Sequence, residues 1–204
     1  MPINCAVLLS GSGTTLENLM GCIARGELDV TIQCAVSSRR DAYGLERARN
    51  NGIPAEAVHK GDYARWEDFD AALWDRVGAY SVDLIVLAGF MSLLSVPERF
   101  VNRIMNVHPG LIPAFSGKGM YGRRVHEAVL AYGAKVTGAT VHFVDEEYDH
   151  GPIILQECVP VLDDDTAETL EARVQAKERE LYPRAIQLFA EGRLRVEGRR
   201  VHAL

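Results

Sequence analysis

Long apolar runs alternate with segments of helical periodicity along most of the chain. Four of these runs are predicted to be strands: Ile3–Leu9, Val30–Val36, Asp83–Gly89 and Ile104–Val107. Ile3–Leu9 and Asp83–Gly89 are almost continuously apolar, as strands buried on both faces of a sheet are. Between Trp66 and Tyr80 the apolar residues recur every three or four positions, which predicts an amphipathic helix. This alternation indicates an α/β fold with a mostly parallel twisted sheet and helices on both faces.

The same patterns predict the remaining elements. Further strands are expected at Ala55–Val58, Val136–Val144 and Ile153–Val161. Further helices are expected from Thr14 or Thr15, one of which caps the helix, to about Arg25, and at Tyr43–Asn50, Pro97–Val101, Arg124–Ala131 and Ala167–Glu191. Pro183 should interrupt the last helix, because proline lacks the N–H that a helix interior requires.

Polar or glycine residues stand where the strands end. In parallel sheets the ligand binds beyond the carboxyl ends of the strands. The residues at these ends are Ser10-Gly11, Ser37, Ala88-Gly89 and Asn106-Val107-His108. We expect them to converge on one crevice.

Composition narrows the class of protein. A chain of 204 residues with 48% hydrophobic and 25% charged residues suggests one globular domain. The net charge of -6 argues against a sequence-independent nucleic-acid binder, and no apolar run is long enough to span a membrane. The four cysteines include no Cys-x-x-Cys pair, which favours reduced thiols in a cytoplasmic protein over a disulfide or zinc framework.

A glycine loop, Ser10-Gly11-Ser12-Gly13-Thr14-Thr15, joins the first strand to the first helix. Glycines let backbone amides approach a ligand, and a helix N-terminus attracts an anion. The loop does not match a dinucleotide fingerprint, because Leu16 stands where the third glycine would be, and it lacks the lysine of a P-loop. We favour a monophosphate site over a tight turn without a ligand.

Asn106 and His108 point the same way if the chain around them is extended. An asparagine amide can donate to an oxyanion, and a histidine can transfer protons near neutral pH. A histidine at a strand end is nevertheless more often structural, so the pair alone does not decide the question.

Asp149 lies in an acidic segment, Asp145 to Gly151, between two predicted strands. Composition alone predicts a solvated loop here. A carboxylate beside His108 would instead raise the imidazole pKa and orient the ring. His142 is expected to be structural, and no histidine pair has metal-ligand spacing, so no metal is expected.

The segment Pro109 to Gly122 holds two prolines and four glycines and is expected to be irregular. Its residues Gly110 to Tyr121 are predicted to form a mobile lid that excludes water once substrates bind. The alternative is a rigid loop held by Ile112, Pro113 and Phe115.

Taken in order, these motifs resemble the phosphoribosylglycinamide formyltransferases, a family of folate-dependent formyltransferases. The resemblance runs from Val7 to about Gly192. It rests on Leu9–Thr14, Ala42–Ala48, Leu87–Met91, Asn106–Pro109, Gly138–Asp145 and Gly151–Gln156. It implies a Rossmann-like core in one domain over residues 1–204, with the ribonucleotide site in the N-terminal part and the folate site and catalytic aspartate loop in the C-terminal part.

The resemblance also implies roles for single residues. Asn106, His108 and Asp149 match the catalytic trio. Residues that match ribonucleotide contacts are Gly13, Thr14, Thr15, Gln175 and Glu178, and Glu178 would hold the substrate ammonium. Residues that match the folate site are Met91, Ser92, Leu93, Leu94, Asn106, Asp145, Glu146, Glu147, Tyr148 and Asp149.

Three positions depart from the pattern of the family. Ser92 stands where arginine is frequent, Gly110 where serine is frequent, and Trp66 where some members have an arginine for the folate tail. These changes affect the contacts expected for the folate glutamate and leave the chemistry in place.

The implied reaction is formyl transfer from 10-formyltetrahydrofolate to the amine of phosphoribosylglycinamide, a step of purine synthesis, by a monomer or homodimer that needs no metal. Asn106 and protonated His108 would stabilise the oxyanion, and Asp149 would keep His108 protonated. The alternatives are a formyltetrahydrofolate hydrolase, a methionyl-tRNA formyltransferase, and a non-catalytic nucleotide-binding module that uses the glycine loop alone.

Overall fold

The computed structural model describes residues 2–204, which form two compact units. The first unit ends at Met105, and the second is Asn106–Leu204. Each unit has its own buried core. Among the described residues, no helix combines the length and the apolar character that crossing a bilayer requires.

The first unit is built on four parallel strands. They are β1 (Ile3–Leu9), β2 (Val30–Ser37), β3 (Ala55–Ala57) and β4 (Leu84–Ala88). Strand β1 pairs with β2 on one side and β4 on the other, and β2 pairs with β3. All five residues of β4 and the last five of β1 are buried, as their unbroken apolar sequences predict.

Three helices connect these strands: α1 (Thr14–Ala24), α2 (Tyr43–Asn50) and α3 (Trp66–Gly78). The start of α1 differs from expectation, because Thr14 and Thr15 lie inside the helix and neither caps it. The cap is Gly13, whose φ of 75° lies in the left-handed region. The helix expected at Pro97–Val101 is only a 3-10 turn over Glu98–Phe100.

The second unit mixes strand directions. Strand β5 (Ile104–His108) leads into it and is followed by α4 (Arg123–Tyr132), β6 (Val136–Phe143), β7 (Ile153–Pro160), α5 (Ala167–Ala190), β8 (Leu194–Glu197) and β9 (Arg200–Ala203). Strands β6 and β7 are antiparallel, as are β8 and β9, whereas β7 and β9 pair in parallel. The link between β6 and β7 is too short for the helical crossover that a parallel pair needs. Counted over both units, four of these six strand pairings are parallel, and the α/β prediction of a mostly parallel sheet is confirmed.

Helix α5 runs without a break through Pro183, so the predicted interruption is wrong. Thr166 caps the helix, because its hydroxyl accepts the N–H of Thr169 while the Thr169 hydroxyl accepts the N–H of Thr166. Leu181, Tyr182 and Pro183 are all buried. Packing of this face outweighs the single N–H that proline lacks.

The hydroxyl of Thr140 on β6 holds the chain that follows His108. It donates to the Gly110 carbonyl at 2.6 Å and accepts the Ile112 N–H at 3.2 Å. It also accepts from Gln156 Nε2 at 2.9 Å, and the same nitrogen donates to the Ile112 carbonyl at 2.9 Å. One donor and two acceptor positions of a hydroxyl are therefore all used.

We expect Thr140→Val to lower the free energy of unfolding by about 2–4 kcal/mol, because the Gly110 carbonyl and the Ile112 N–H lose their partner in a buried position. Urea denaturation measures this. Thr137→Val is the matched control, since Thr137 lies on the same strand, is equally buried, and its Oγ1 has no partner among residues 2–204. The control should change stability by less than about 1 kcal/mol. Equal losses in both variants would contradict the role of the Thr140 hydroxyl.

Candidate active site

In the first unit, three strand ends meet at the hydroxyl of Ser10. Ser10 Oγ lies 2.6 Å from Ser38 Oγ and accepts the backbone N–H of Met91 at 3.0 Å. Ser10, Ser38 and Met91 follow β1, β2 and β4, so three of the four strand ends expected to converge do so within this unit. The fourth, Asn106–His108, belongs to the second unit. The N–H of Met91 is already bonded, and a ligand at the Met91–Leu94 segment would meet its other backbone groups.

The glycine loop is held against the start of α2. A Cβ added to buried Gly13 would lie 2.5 Å from Gly44 Cα, and Arg47 Nε donates to the Ser12 carbonyl at 2.9 Å. The first helical bond joins Glu17 N–H to the Gly13 carbonyl at 2.9 Å. The N–H groups of Thr14 and Thr15 come before this first helical bond and are therefore not used within the helix. An anion-binding site at a helix N-terminus requires such N–H groups.

Side chains of α3 fix the segment Met91–Leu94. Trp66 Nε1 donates to the Leu93 carbonyl at 3.1 Å. Buried Asp70 accepts the N–H of Ser95 at 3.0 Å and also its hydroxyl. Leu94 is buried, Ser92 and Leu93 are half-buried, and Met91 is exposed. Trp66 therefore holds this segment through the Leu93 carbonyl. It stands at the position where the resemblance suggests an arginine for a folate tail.

In the second unit, His108 and Asp149 are in contact. His108 Nδ1 lies 3.4 Å from Asp149 Oδ2, and both side chains are largely buried. Strand β5 delivers His108 at its last residue, and the loop after β6 delivers Asp149 with a φ of 53°. A residue other than glycine in this left-handed region is uncommon and is held by its surroundings.

Burial lowers the pKa of His108 more than the Asp149 carboxylate and the Phe115 carbonyl raise it. Burial thus favours a neutral resting ring, and the role of Asp149 in keeping His108 protonated during a reaction stays a prediction. Both ring nitrogens nevertheless face acceptor oxygens, because Nε2 lies 2.9 Å from the Phe115 carbonyl. The resting ring is biased toward the neutral form, and an imidazolium formed during a reaction has an acceptor at each nitrogen.

His142 is the site residue that sequence reasoning missed. Its Nε2 lies 3.2 Å from Asn106 Nδ2 and 3.7 Å from Asp149 Oδ1. Its Nδ1 donates to the Phe143 carbonyl at 2.7 Å, which leaves Nε2 as the acceptor for Asn106. Burial lowers the pKa of His142, which favours this neutral form. The alternation of Thr140 and His142 on one face of β6 was the available clue.

The loop after His108 is tied to Asp149. The Gly117 N–H donates to Asp149 Oδ2 at 2.9 Å, and Ser116 Oγ donates to the Pro113 carbonyl at 3.0 Å. Phe115, whose carbonyl faces His108, has a φ of 50°. The loop contains no helix or strand, as predicted. Its movement as a lid stays a prediction.

The acidic segment before Asp149 is an ordered turn. Asp145 accepts the Glu147 N–H at 3.0 Å and the ring of His150 at 2.6 Å. Glu146, Glu147 and Tyr148 are exposed, whereas Asp145 is half-buried. Carboxylates of this turn thus differ in role, because Asp145 holds the turn together and Asp149 turns inward.

Gln175 and Glu178 lie on one face of α5, together with Glu171. Gln175 Nε2 donates to Glu171 Oε1 at 3.3 Å, and the other oxygen of Glu171 accepts Arg123 Nε at 3.0 Å. Glu178 as a whole is half-buried, but burial of its carboxyl raises the pKa to about 7, against the effect of Arg179. With this pKa the Glu178 carboxyl changes charge near neutral pH.

Among residues 2–204, no group of three or more histidine, cysteine, aspartate or glutamate side chains is placed to hold a metal ion.

Comparison with known proteins identifies the family. Residues 3–186 match the family described as formyl transferase. The phosphoribosylglycinamide formyltransferase of Haemophilus influenzae is 39% identical over 94% of this chain and 89% of its own length.

Solved structures agree with this assignment. Glycinamide ribonucleotide transformylase 1 from Symbiobacterium toebii is 48% identical, with a TM-score of 0.93 over 100% of this chain and 94% of that one. A formyltetrahydrofolate deformylase from Pseudomonas syringae is 25% identical, with a TM-score of 0.87 over 100% of this chain but 66% of that one. The chain therefore belongs to the formyl transferase family.

Proposed function

We propose that this chain is an enzyme that transfers the formyl group of 10-formyltetrahydrofolate to the amine of N1-(5-phospho-D-ribosyl)glycinamide in purine biosynthesis. The observation that carries the proposal is the contact of 3.4 Å between His108 Nδ1 and Asp149 Oδ2, next to Asn106 and His142. The names of the relatives from Haemophilus influenzae and Symbiobacterium toebii support this pair of substrates.

In the proposed reaction the substrate amine attacks the formyl carbon, so that no enzyme nucleophile is required. Asn106 Nδ2 carries two hydrogens, and one of them is directed to His142 Nε2. The second hydrogen donates to the oxyanion that develops on the formyl oxygen. His142 thus orients the amide group that stabilises the tetrahedral intermediate.

His108 moves the proton. Because burial favours its neutral form, the ring takes up the proton that the attacking amine loses. This proton reaches Nδ1 through the Asp149 carboxylate, since both ring nitrogens face protein acceptors. The imidazolium that results has Asp149 and the Phe115 carbonyl as acceptors. The ring then passes the proton to the folate nitrogen as the bond between that nitrogen and the formyl carbon breaks.

We assign the substrate contacts as the resemblance implies. The backbone amides after Gly13 bind the ribonucleotide phosphate at the N-terminus of α1, where the helix dipole favours an anion. Glu178 and Gln175 contact the rest of the ribonucleotide. The folate residues are Met91, Ser92, Leu93, Leu94, Asn106, Asp145, Glu146, Glu147, Tyr148 and Asp149.

We place the reaction in the cytoplasm, in a monomer or homodimer. All four cysteines are free, and Cys5, Cys22 and Cys34 are buried. Burial raises the pKa of Cys5 to about 12 and that of Cys34 to about 11, so these thiols resist oxidation. Unpaired, unreactive thiols suit a reducing compartment.

The principal rival is hydrolysis of the same folate, the activity that the name of the Pseudomonas syringae structure states for that protein. An assay with both substrates separates the two functions. Transfer gives formylated ribonucleotide, whereas hydrolysis releases formate and does not require the ribonucleotide. Formate release at the full rate without ribonucleotide would overturn the proposed function.

We expect His108→Ala and Asp149→Asn each to lower kcat by about 10²- to 10⁴-fold, because each removes a member of the proton-transfer pair. Asparagine tolerates the left-handed backbone of Asp149, so this variant should keep its fold, which circular dichroism checks. The control is Asp163→Asn, an exposed carboxylate that pairs only with Lys135. A folded Asp149→Asn enzyme with normal kcat would remove Asp149 from the mechanism.

We expect Thr15→Pro to weaken ribonucleotide binding about tenfold or more, because it deletes one amide donor of the phosphate cradle. Proline is tolerated in a first helical turn, so this variant should fold. Gly13→Val is a poorer test, because its side chain would clash with Gly44 and destabilise the fold as well. Thr15→Ala keeps the N–H and is the control. Calorimetry with each substrate decides the outcome, and a Thr15→Pro variant that loses only folate affinity would mean that the two sites must be exchanged.

We expect Glu178→Gln to stabilise the protein at pH 8 and to change its stability by less than about 0.5 kcal/mol at pH 4. The folded pKa of about 7 exceeds the ordinary value of 4.5, so the wild-type carboxyl loses stability as pH rises from 4.5 through 7. Glutamine stays neutral, and the difference in unfolding free energy should reach about 1–3 kcal/mol. Thermal unfolding at both pH values measures it.

The control for this comparison is Glu180→Gln, an exposed glutamate of the same helix that pairs with Lys177. It should change stability by less than about 0.5 kcal/mol at either pH. A Glu178→Gln variant that is less stable than wild type at pH 8 would show that the carboxylate is well solvated or paired in the native state.

A further inference from the structure

The turn of the C-terminal hairpin contacts the loop that carries Asp149. Strands β8 and β9 are joined by Gly198 and Arg199, and the next residue, Arg200, pairs with Ile153 of β7. The guanidinium of Arg199 donates to His150 Nε2 at 3.1 Å and to the His150 carbonyl at 2.5 Å. His150 is the residue directly after Asp149, so the hairpin holds the backbone beside the proposed catalytic carboxylate.

The ring of His150 extends this contact into the loop. His150 Nδ1 lies 2.6 Å from Asp145 Oδ2, while Asp145 Oδ1 accepts the Glu147 N–H at 3.0 Å. Because a guanidinium only donates, His150 Nε2 must accept, and Nδ1 must carry the hydrogen that Asp145 accepts. One neutral form of the ring therefore satisfies both contacts, and the ring links Arg199 to Asp145 at the other end of the turn.

Asp149 needs such support. Its φ of 53° is unfavourable for an aspartate, so its direction depends on what holds the neighbouring backbone. On one side its carboxylate is held by the Gly117 N–H and faces His108. On the other side the chain leaves through His150, whose carbonyl Arg199 fixes. Without Arg199, the carbonyl of His150, one residue after Asp149, loses its bond to the hairpin.

We propose that Arg199, acting through His150, is a positioning residue for Asp149, and that the C-terminal hairpin is part of the active-site support. Arg199 touches neither substrate nor reacting atoms in this proposal. The inference rests on the proposed function, because it takes Asp149 to act on His108. The contacts are partly exposed, since 47% of the His150 side chain is accessible, so the effect should be modest.

The test is kinetic. We expect Arg199→Met to lower kcat three- to tenfold with little change in KM for the ribonucleotide, because proton transfer suffers and the phosphate cradle does not. Arg199→Lys should restore part of the rate, since an ammonium can still donate to the His150 carbonyl. Arg195→Met is the control. Arg195 lies on β8 of the same hairpin, where it forms an ion pair with Glu197 at 3.2 Å, and its loss should leave kcat unchanged.

A double-mutant cycle with Asp149→Asn separates positioning from general stabilisation. If Arg199 acts through Asp149, Arg199→Met should cost no further rate once Asp149 is replaced. The same fold loss in both backgrounds, a normal kcat for Arg199→Met, or an equal loss for Arg195→Met would overturn the inference. Normal activity of Asp149→Asn alone would instead remove Asp149 from the mechanism. Formate release at the full rate without ribonucleotide would overturn the proposed function, so the failures are distinguishable.

Discussion

The carboxylate of Asp149 is held by groups from three separate parts of the second unit. Oδ2 accepts the Gly117 N–H at 2.9 Å and lies 3.4 Å from His108 Nδ1, while Oδ1 lies 3.7 Å from His142 Nε2. Only 11% of the side chain is exposed. Burying a carboxylate costs several kcal/mol unless partners compensate it, so the end of β5, the loop after it and the end of β6 must stay in place together.

This constraint also sets the properties of His108. The ring is buried, which disfavours its charged form, yet acceptor oxygens face both of its nitrogens. A proton that reaches the ring is therefore neither strongly held nor strongly rejected. Such a balance suits a group that takes a proton and returns it within one catalytic cycle. His142 adds to the arrangement by accepting from Asn106, which leaves the amide of Asn106 in a defined orientation.

In the first unit, the proposed phosphate cradle depends on close backbone packing. A Cβ on Gly13 would lie 2.5 Å from Gly44 Cα, and a Cβ on Gly44 would lie 2.7 Å from the Leu9 side chain, so neither position accepts a side chain without displacement of its neighbours. The approach places the first turn of α1 beside α2, and Ser10 ties the ends of three strands together. The proposed phosphate cradle is thus built from backbone groups whose positions depend on two glycines and one hydroxyl.

The sequence by itself determined most of the elements and the identity of the candidate residues. Apolar runs and helical periodicity predicted seven strands and five α-helices close to their observed bounds, because burial on a sheet or along a helix face leaves a local pattern. The Asn106-x-His108 spacing predicted a shared direction for the same reason. Pro183 and the cap of α1 were misjudged, because packing around Pro183 and the left-handed Gly13 override the local rules.

Only the tertiary structure decided which side chains meet. The short β8–β9 hairpin lacks a long apolar run, and its contact from Arg199 to His150 joins residues far apart in sequence. Distant segments also bring His142 to Asn106 and Asp149. The lowering of the pKa of His108 likewise comes from its burial in the folded chain. Burial and hydrogen bonding between distant segments depend on three-dimensional proximity, and a periodic pattern along one segment carries no record of it.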